Sequence, residues 1–170
     1  MNPIRKVSIK IKKSENVHFD GEWVSNGHWM IKKEYVKLQN ELQMLINSNT
    51  KFSKRIGSLK LGDDANIPNM KDVIESLEDT LPAVKLKIGV DHGSWLIPFV
   101  APDNLVVFID EKYVPLLELP GSTLHITKNN MVAAKGLNEV ILSVVMECQF
   151  RREEQLADDA FLLSKLLQPF

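Results

Sequence analysis

Near the start of the chain Val7, Ile9 and Ile11 alternate with Ser8, Lys10 and Lys12. A period of two predicts a strand with one buried face. Lys10, Lys12 and Lys13 suit the outer side of an edge strand that must avoid pairing with neighbouring molecules. Val17 to Val24 alternates less cleanly and closes at Ser25-Asn26-Gly27. Asn-Gly tolerates two consecutive positive φ angles, so a tight type I′ hairpin is expected, with His28 to Ile31 as its returning strand. From Glu34 to Asn47 the period changes. Tyr35, Leu38, Leu42 and Leu45 form one stripe at helical spacing, with Lys37, Asn40, Glu41 and Gln43 facing water, and Asn47-Ser48-Asn49 ends the helix.

The segment from Lys51 to Lys60 is basic and poorly periodic, a pattern that fits a mobile loop or a strand pair with a long connection. A second helix is expected from Pro68-Asn69, with Asn69 as its cap and Asp72 in the first turn, where the dipole favours a negative charge. Its stripe is Met70, Val73, Ile74, Leu77 and Leu81, and Pro82 marks its end. Beyond it the chain turns to strands: Val84 to Val90, then Trp95 to Val100 after Asp91-His92-Gly93. Pro98 points to an edge or a bulge. Asn104 to Ile109 is apolar throughout, as in a strand buried on both faces. A short helix near Glu111 to Leu119 is made irregular by Pro115. A meander follows over Thr123 to Thr127, Met131 to Lys135 and Val140 to Glu147. Arg151 to Leu167 is again helical, with Leu156, Ala160, Leu163 and Leu167 on one side.

Two strings recur. Ile31 to Leu38 and Ile109 to Leu116 share I-x-x-x-Y-V-x-L at an offset of 78. Gly27 to Ile31 and Gly93 to Ile97 share G-x-W-[M/L]-I at an offset of 66, so the two registers differ by an insertion of 12 residues. The expected fold is α+β, a largely antiparallel sheet built from two strand–helix–strands units, plus an inserted helix and a C-terminal helix. One domain is expected over residues 1–150, with the insertion at about 51–82, and residues 151–170 are expected to form an amphipathic helix packed on that domain or on a partner.

Composition adds little to this picture. With 170 residues, 44% hydrophobic and 25% charged, the chain is of ordinary globular type and long enough for one good core. No apolar run approaches the ~20 residues needed to cross a bilayer, and the first residues lack the apolar centre of a signal peptide, so a cytoplasmic location and no membrane partner are expected. Cys148 is the only cysteine, which excludes an internal disulfide and a cysteine-based zinc site. Charge is more informative. Met1 to Lys60 holds 12 Lys and Arg against 5 Asp and Glu, whereas the remainder holds 9 against 17. Such asymmetry is expected to give a dipolar molecule with a positive face, the alternative being charged faces that are simply solvated.

Candidate chemistry is sparse. His18 and Asp20, placed on one strand face, could join Asp91 and His92 in a hard-ligand site for a small metal-dependent hydrolase, yet none of the spacings is that of a metal helix. There is no G-x-S-x-G and no glycine-rich phosphate loop, and Cys148 follows an apolar strand where a half-buried thiol is ordinary. No catalytic residue, metal or cofactor is assigned, and an enzyme is not expected. Trp23, Trp29 and Trp95 lie beside the hairpin turns and read as core. Lys32, Lys33, Lys37, Lys51, Lys54, Arg55 and Lys60 are the candidates for tracking duplex phosphates, and Leu156, Phe161, Leu163, Leu167 and Phe170 for binding a partner.

The segment V-V-F-I-D-E-K-Y-V, S-T-L-H-I-T, M-V-A-A-K and E-V-I-L-S-V-V-M resembles one repeat of the sliding DNA clamp fold in its order of elements. That family builds each domain from two strand–helix–three-strand units, and the I-x-x-x-Y-V-x-L echo would mark their two helices. The resemblance covers Val17 to Glu147 and extends in flavour to small phage-encoded proteins of this type. It implies a non-enzymatic module in DNA replication or recombination, whose partners are duplex DNA, a replication protein or a second copy of the chain. The alternative is a phage-encoded inhibitor or adaptor that binds a host protein and uses the fold without DNA. The chain departs from the family in having room for one such domain, in the 51–82 insertion and in the tail. Glu34 and Glu41 also dilute the charge of the first helix, and no binding residue is carried over from the family.

Overall fold

The structure is a computed structural model and describes residues 4–77, 79–91, 93–102 and 104–148. The helix expected within residues 151–170, and the partner-binding candidates Leu156, Phe161, Leu163, Leu167 and Phe170, lie outside the described residues. The chain divides into two compact units, Met1–Ser76 and Leu77–Phe170, a boundary that falls inside the expected insertion. Both are mostly antiparallel sheet with few helices, so the α+β expectation holds at that level.

In the first unit the strands are β1 (Val7–Ser8), β2 (Val17–Phe19), β3 (Trp23–Ser25), β4 (Trp29–Lys32), β5 (Val36–Lys37), β6 (Phe52–Arg55) and β7 (Ser58–Leu61), with helices α1 (Asn40–Asn47) and α2 (Met70–Glu75). Five of them lie in the order β7-β6-β2-β3-β4, and β1 pairs with β5 in parallel as a separate ribbon. The cross-strand register puts Val17, Phe19, Val24, Ile31 and Phe52 on one face. All five are fully buried, and the rings of Phe19 and Phe52 sit 5.8 Å apart.

Val17 to Val24 is not one strand. It is a hairpin, because Asp20-Gly21 turns the chain in the same way as Asn26-Gly27 does six residues later. In each turn the Asx backbone N–H donates to the carbonyl of the tryptophan three residues on, Asp20 to Trp23 at 3.2 Å and Asn26 to Trp29 at 3.3 Å. In each, the Asx Oδ1 accepts two backbone N–H bonds, from Glu22 (2.8 Å) and Trp23 (2.6 Å), and from His28 (2.8 Å) and Trp29 (3.1 Å). The shared string is [D/N]-G-x-W. Positive φ is confined to the glycine, at 101° in Gly21 and 92° in Gly27, so the second turn is not the expected type I′, which needs two such residues.

The expected helix from Glu34 to Asn47 is also broken. Lys33–Tyr35 is one turn of 3-10 helix, Val36–Lys37 is strand, and the α-helix begins only at Asn40. Side-chain amides displace the helical bonds here. Gln43 Oε1 accepts from the Leu38 N–H (2.8 Å), while Gln39 both accepts from and donates to the Ile11 backbone (3.0 and 2.7 Å), standing in for a strand neighbour. Residues 51–60 form a strand pair, β6 and β7, but with the short connection Ile56-Gly57 rather than a long one. The Asn69 cap is as expected, its side chain accepting from the Asp72 N–H, but α2 stops at Glu75. Val73 is exposed and Leu81 belongs to a strand.

The second unit carries β8 (Thr80–Pro82), β9 (Val84–Lys85), β10 (Val90–Asp91), β11 (Trp95–Ala101), β12 (Leu105–Asp110), β13 (Thr123–Thr127), β14 (Met131–Lys135) and β15 (Ile141–Met146). The meander β15-β14-β13, extended by β8, matches the expectation. β11 is not an edge strand: β12 lies on one side and β9 and β10 on the other. Pro98 is accommodated because the β9–β10 side is interrupted there, and the Leu86 N–H donates to the Pro98 carbonyl. Leu86, Leu96, Val100, Val106 and Phe108 make one core of this unit. The segment after β12 is a 3-10 helix, Glu111–Leu116, with Pro115 inside it. Trp23 and Trp29 are buried as expected, whereas Trp95 is half-exposed over Gly89.

Candidate nucleic-acid interface

The seven basic residues singled out by sequence do not form one group. Lys32 lies over the Trp23 ring (5.7 Å to its centre) and reaches Glu22 at 3.8 Å. Lys33 donates to Asn49 Oδ1 at 3.0 Å. Lys54 is not free for phosphates: its ammonium donates to the carbonyls of Lys12 (3.2 Å), Lys13 (3.3 Å) and Glu15 (2.7 Å). Lys37, Lys51, Arg55 and Lys60 are exposed.

What Lys54 does instead is gather charge. It ties the connection between β1 and β2 to β6, so Lys12 and Lys13, 42 and 41 residues away in sequence, lie beside β6 and Arg55. Arg55, Lys60 and Lys32 project from the sheet face opposite the core, because the register aligns Arg55 with Ser58, Lys60 with Ser53, Ser53 with His18, and Lys32 with Trp23.

The β1/β5 ribbon carries the densest charge. Val7, Ile9 and Ile11 turn inward as the alternation predicts, leaving Lys6, Ser8, Lys10 and Lys12 exposed, and Ser8 pairs with Lys37. Lys37 lies in β5, and Lys6, Lys10 and Lys12 occupy exposed positions of the segment around β1, which is itself only Val7–Ser8 although the alternation predicted a strand through Lys12. Among the described residues none of the four has an ion-pair partner. Sequence reasoning assigned Lys10 and Lys12 to edge protection and did not connect them with Lys37. The alternation was visible, but the parallel pairing of residues 29 positions apart was not.

The histidine and acidic candidates are occupied. His18 Nδ1 is 2.8 Å from Ser53 Oγ, and burial, followed by the Arg55 charge, pushes its pKa down. Asp20 is not on a strand face with His18; it is the turn residue described above. Asp91 lies in β10 of the other unit, and His92 is outside the described residues. Among the described residues no three His, Cys, Asp or Glu side chains come together as metal ligands. Cys148 is half-buried, its N–H donating to the Phe108 carbonyl. No described helix is long and apolar enough to cross a membrane. Compared with protein-family models, curated proteins and solved structures, the chain matches none of them.

Proposed function

We propose that the first unit is a non-enzymatic module that contacts nucleic-acid phosphates without reading sequence. The observation that carries this reading is the group of exposed lysines in and beside the β1/β5 ribbon, Lys6, Lys10, Lys12 and Lys37, none of which has an ion-pair partner among the described residues. Unit 1 holds 13 Lys and Arg against 9 Asp and Glu, and unit 2 holds 8 against 13, so the field is polarised between the two.

The kinship to sliding clamps is part of the same proposal and rests on the internal echo. Ile31, Val36 and Leu38 are buried, as are Ile109, Val114 and Leu116, while both tyrosines are half-buried, and each tyrosine is the third residue of a 3-10 turn that follows a strand. The repeated string therefore marks two 3-10 segments, a single turn at Lys33–Tyr35 and a short helix at Glu111–Leu116, rather than two α-helices.

A filter-binding titration of the whole chain with duplex DNA at two salt concentrations tests the phosphate contact. Four phosphate contacts give a slope of log affinity against log salt of about −3 to −4. Lys10→Gln/Lys12→Gln/Lys37→Gln is expected to flatten it to about −1. Absent binding at low salt, or binding indifferent to salt, overturns the reading. A second reading, an adaptor or inhibitor that binds protein, is favoured by Ile56, 72% exposed at the tip of the β6–β7 hairpin. It borders a groove of about 530 Å³ with Ile11, Leu42 and Leu59. Loss of partner capture in Ile56→Ser, with no DNA binding in the parent, supports it instead.

A further inference from the structure

β7 (Ser58–Leu61) stands at the end of the order β7-β6-β2-β3-β4, so its outer side has no strand beside it among the described residues. Antiparallel pairs alternate between those that exchange hydrogen bonds and those that do not. The Gly62 N–H donates to the Lys51 carbonyl at 2.8 Å, so the bonded pairs are Lys51 with Gly62, Ser53 with Lys60 and Arg55 with Ser58. The N–H and C=O groups of Leu59 and Leu61 therefore point away from β6. Among the described residues none of these groups has a partner. Such a row is a template for a further strand.

The two faces of this edge differ. Leu59 lies opposite Lys54 and Leu61 opposite Phe52, which places both leucines on the core face, yet Leu61 is 44% exposed. The groove bordered by Ile56 is lined by Leu59 together with Ile11 and Leu42, so it adjoins the free edge. On the other face stand Arg55 and Lys60, both exposed and without an ion-pair partner among the described residues. Asp63 and Asp64 begin only after the strand, in the 3-10 turn at Gly62–Asp64. A second copy of the chain does not suit this edge. Pairing β7 with itself about Lys60 sets that lysine against its own copy, and like charges directly opposite are destabilising.

We propose that β7 is completed by an extended segment of a partner protein, in which apolar residues on the groove side alternate with acidic residues facing Arg55 and Lys60. Main-chain bonds to Leu59 and Leu61 hold the segment, and the alternation gives the specificity. This rests on the second reading above, a protein partner at the β6–β7 hairpin, and adds how that partner is bound.

The test uses the whole chain and a short fluorescent peptide alternating valine with glutamate, titrated by fluorescence polarisation. The peptide is expected to bind. Methylating its alternate backbone nitrogens on the side of β7 should weaken binding about tenfold or more, by removing hydrogen bonds to the edge. Lysine in place of glutamate should weaken it about tenfold. Leu61→Pro removes an outward N–H where an edge strand tolerates proline, so the fold should stand and binding should fall about tenfold. If that variant does not fold, the methylated and lysine peptides still decide. Binding lost in Ile56→Ser but kept in Leu61→Pro would leave a protein partner at the hairpin and overturn strand addition. A parent peptide that fails to bind at millimolar concentration overturns it too, as does a methylated or lysine peptide that binds as well as the parent. So does a dimer of the chain that forms without peptide and is lost in Leu61→Pro.

Discussion

Ile97 of β11 stands directly opposite Ile109 of β12 in the antiparallel register. Ile97 closes the second G-x-W-[M/L]-I string and Ile109 opens the second I-x-x-x-Y-V-x-L string, whereas in the first unit Ile31 does both. The 12-residue mismatch between the two internal offsets is therefore one hairpin. What a single strand carries in the first unit is spread over two paired strands in the second.

The twin turns separate side-chain from backbone requirements. Asn26→Ala removes two hydrogen bonds and is expected to cost about 1–2 kcal/mol in urea unfolding, while Asn26→Asp should be near neutral, because Asp20 already fills the same role with a carboxylate. A Cβ at Gly27 meets nothing within 4 Å, so any loss in Gly27→Ala, about 1 kcal/mol or more, is due to its φ of 92° alone.

Lys54→Met keeps the apolar stem and removes three hydrogen bonds to carbonyls. Stability should fall by about 1–3 kcal/mol. Lys12 and Lys13 would no longer be held to β6, so the salt slope of DNA binding should also change, although Lys54 itself touches no phosphate. A variant with normal stability and an unchanged slope would show that Lys54 gathers nothing.

Acid should weaken the fold through two histidines. Burial pushes both His18 and His125 below the ordinary value of 6.5, with Arg55 reinforcing it at His18, and Lys135 reinforcing while Glu139 opposes at His125. The native state thus favours neutral imidazole. Its contribution to stability is fully present above the unfolded value near 6.5 and is lost as pH falls through the lowered native values. Urea midpoints should drop between about pH 7.5 and pH 5, and drop less in the double variant His18→Gln/His125→Gln.

Gly89 lies against the indole of Trp95, and a Cβ there would come within 2.1 Å of its ring atoms. Gly89→Ala must move Trp95, which is already half-exposed, further into water. Its fluorescence should shift to the red.

Where local signals acted alone, the sequence was readable. The meander over Thr123 to Met146, the Asn69 cap and the irregular turn at Pro115 all depend on residues within a few positions of one another. The helix expected at 34–47 failed because its first half answers to distant groups: Val36 to Val7, and Gln39 to Ile11. The Asp20-Gly21 turn carried the same Asx-Gly signal that was read at Asn26, but the residues on either side of it were taken as one strand. Of the candidate interface, the residue types were visible and their grouping was not. Nothing in the spacing of Lys54 shows that its ammonium ends among three carbonyls.

The Asn26-Gly27 pair has a bearing on how the protein ages. Asparagine before glycine is the dipeptide most prone to spontaneous deamidation, in which the glycine nitrogen attacks the side-chain carbon. Here that nitrogen is tied to Ser25 Oγ at 3.1 Å, and the amide oxygen is held by two N–H groups. Conversion is therefore slow in the folded chain and fast in the unfolded one. Of its two products, ordinary aspartate rebuilds the turn, as Asp20 does, while the isomer with a lengthened backbone cannot, so the accumulation of that isomer records how long the chain has spent unfolded.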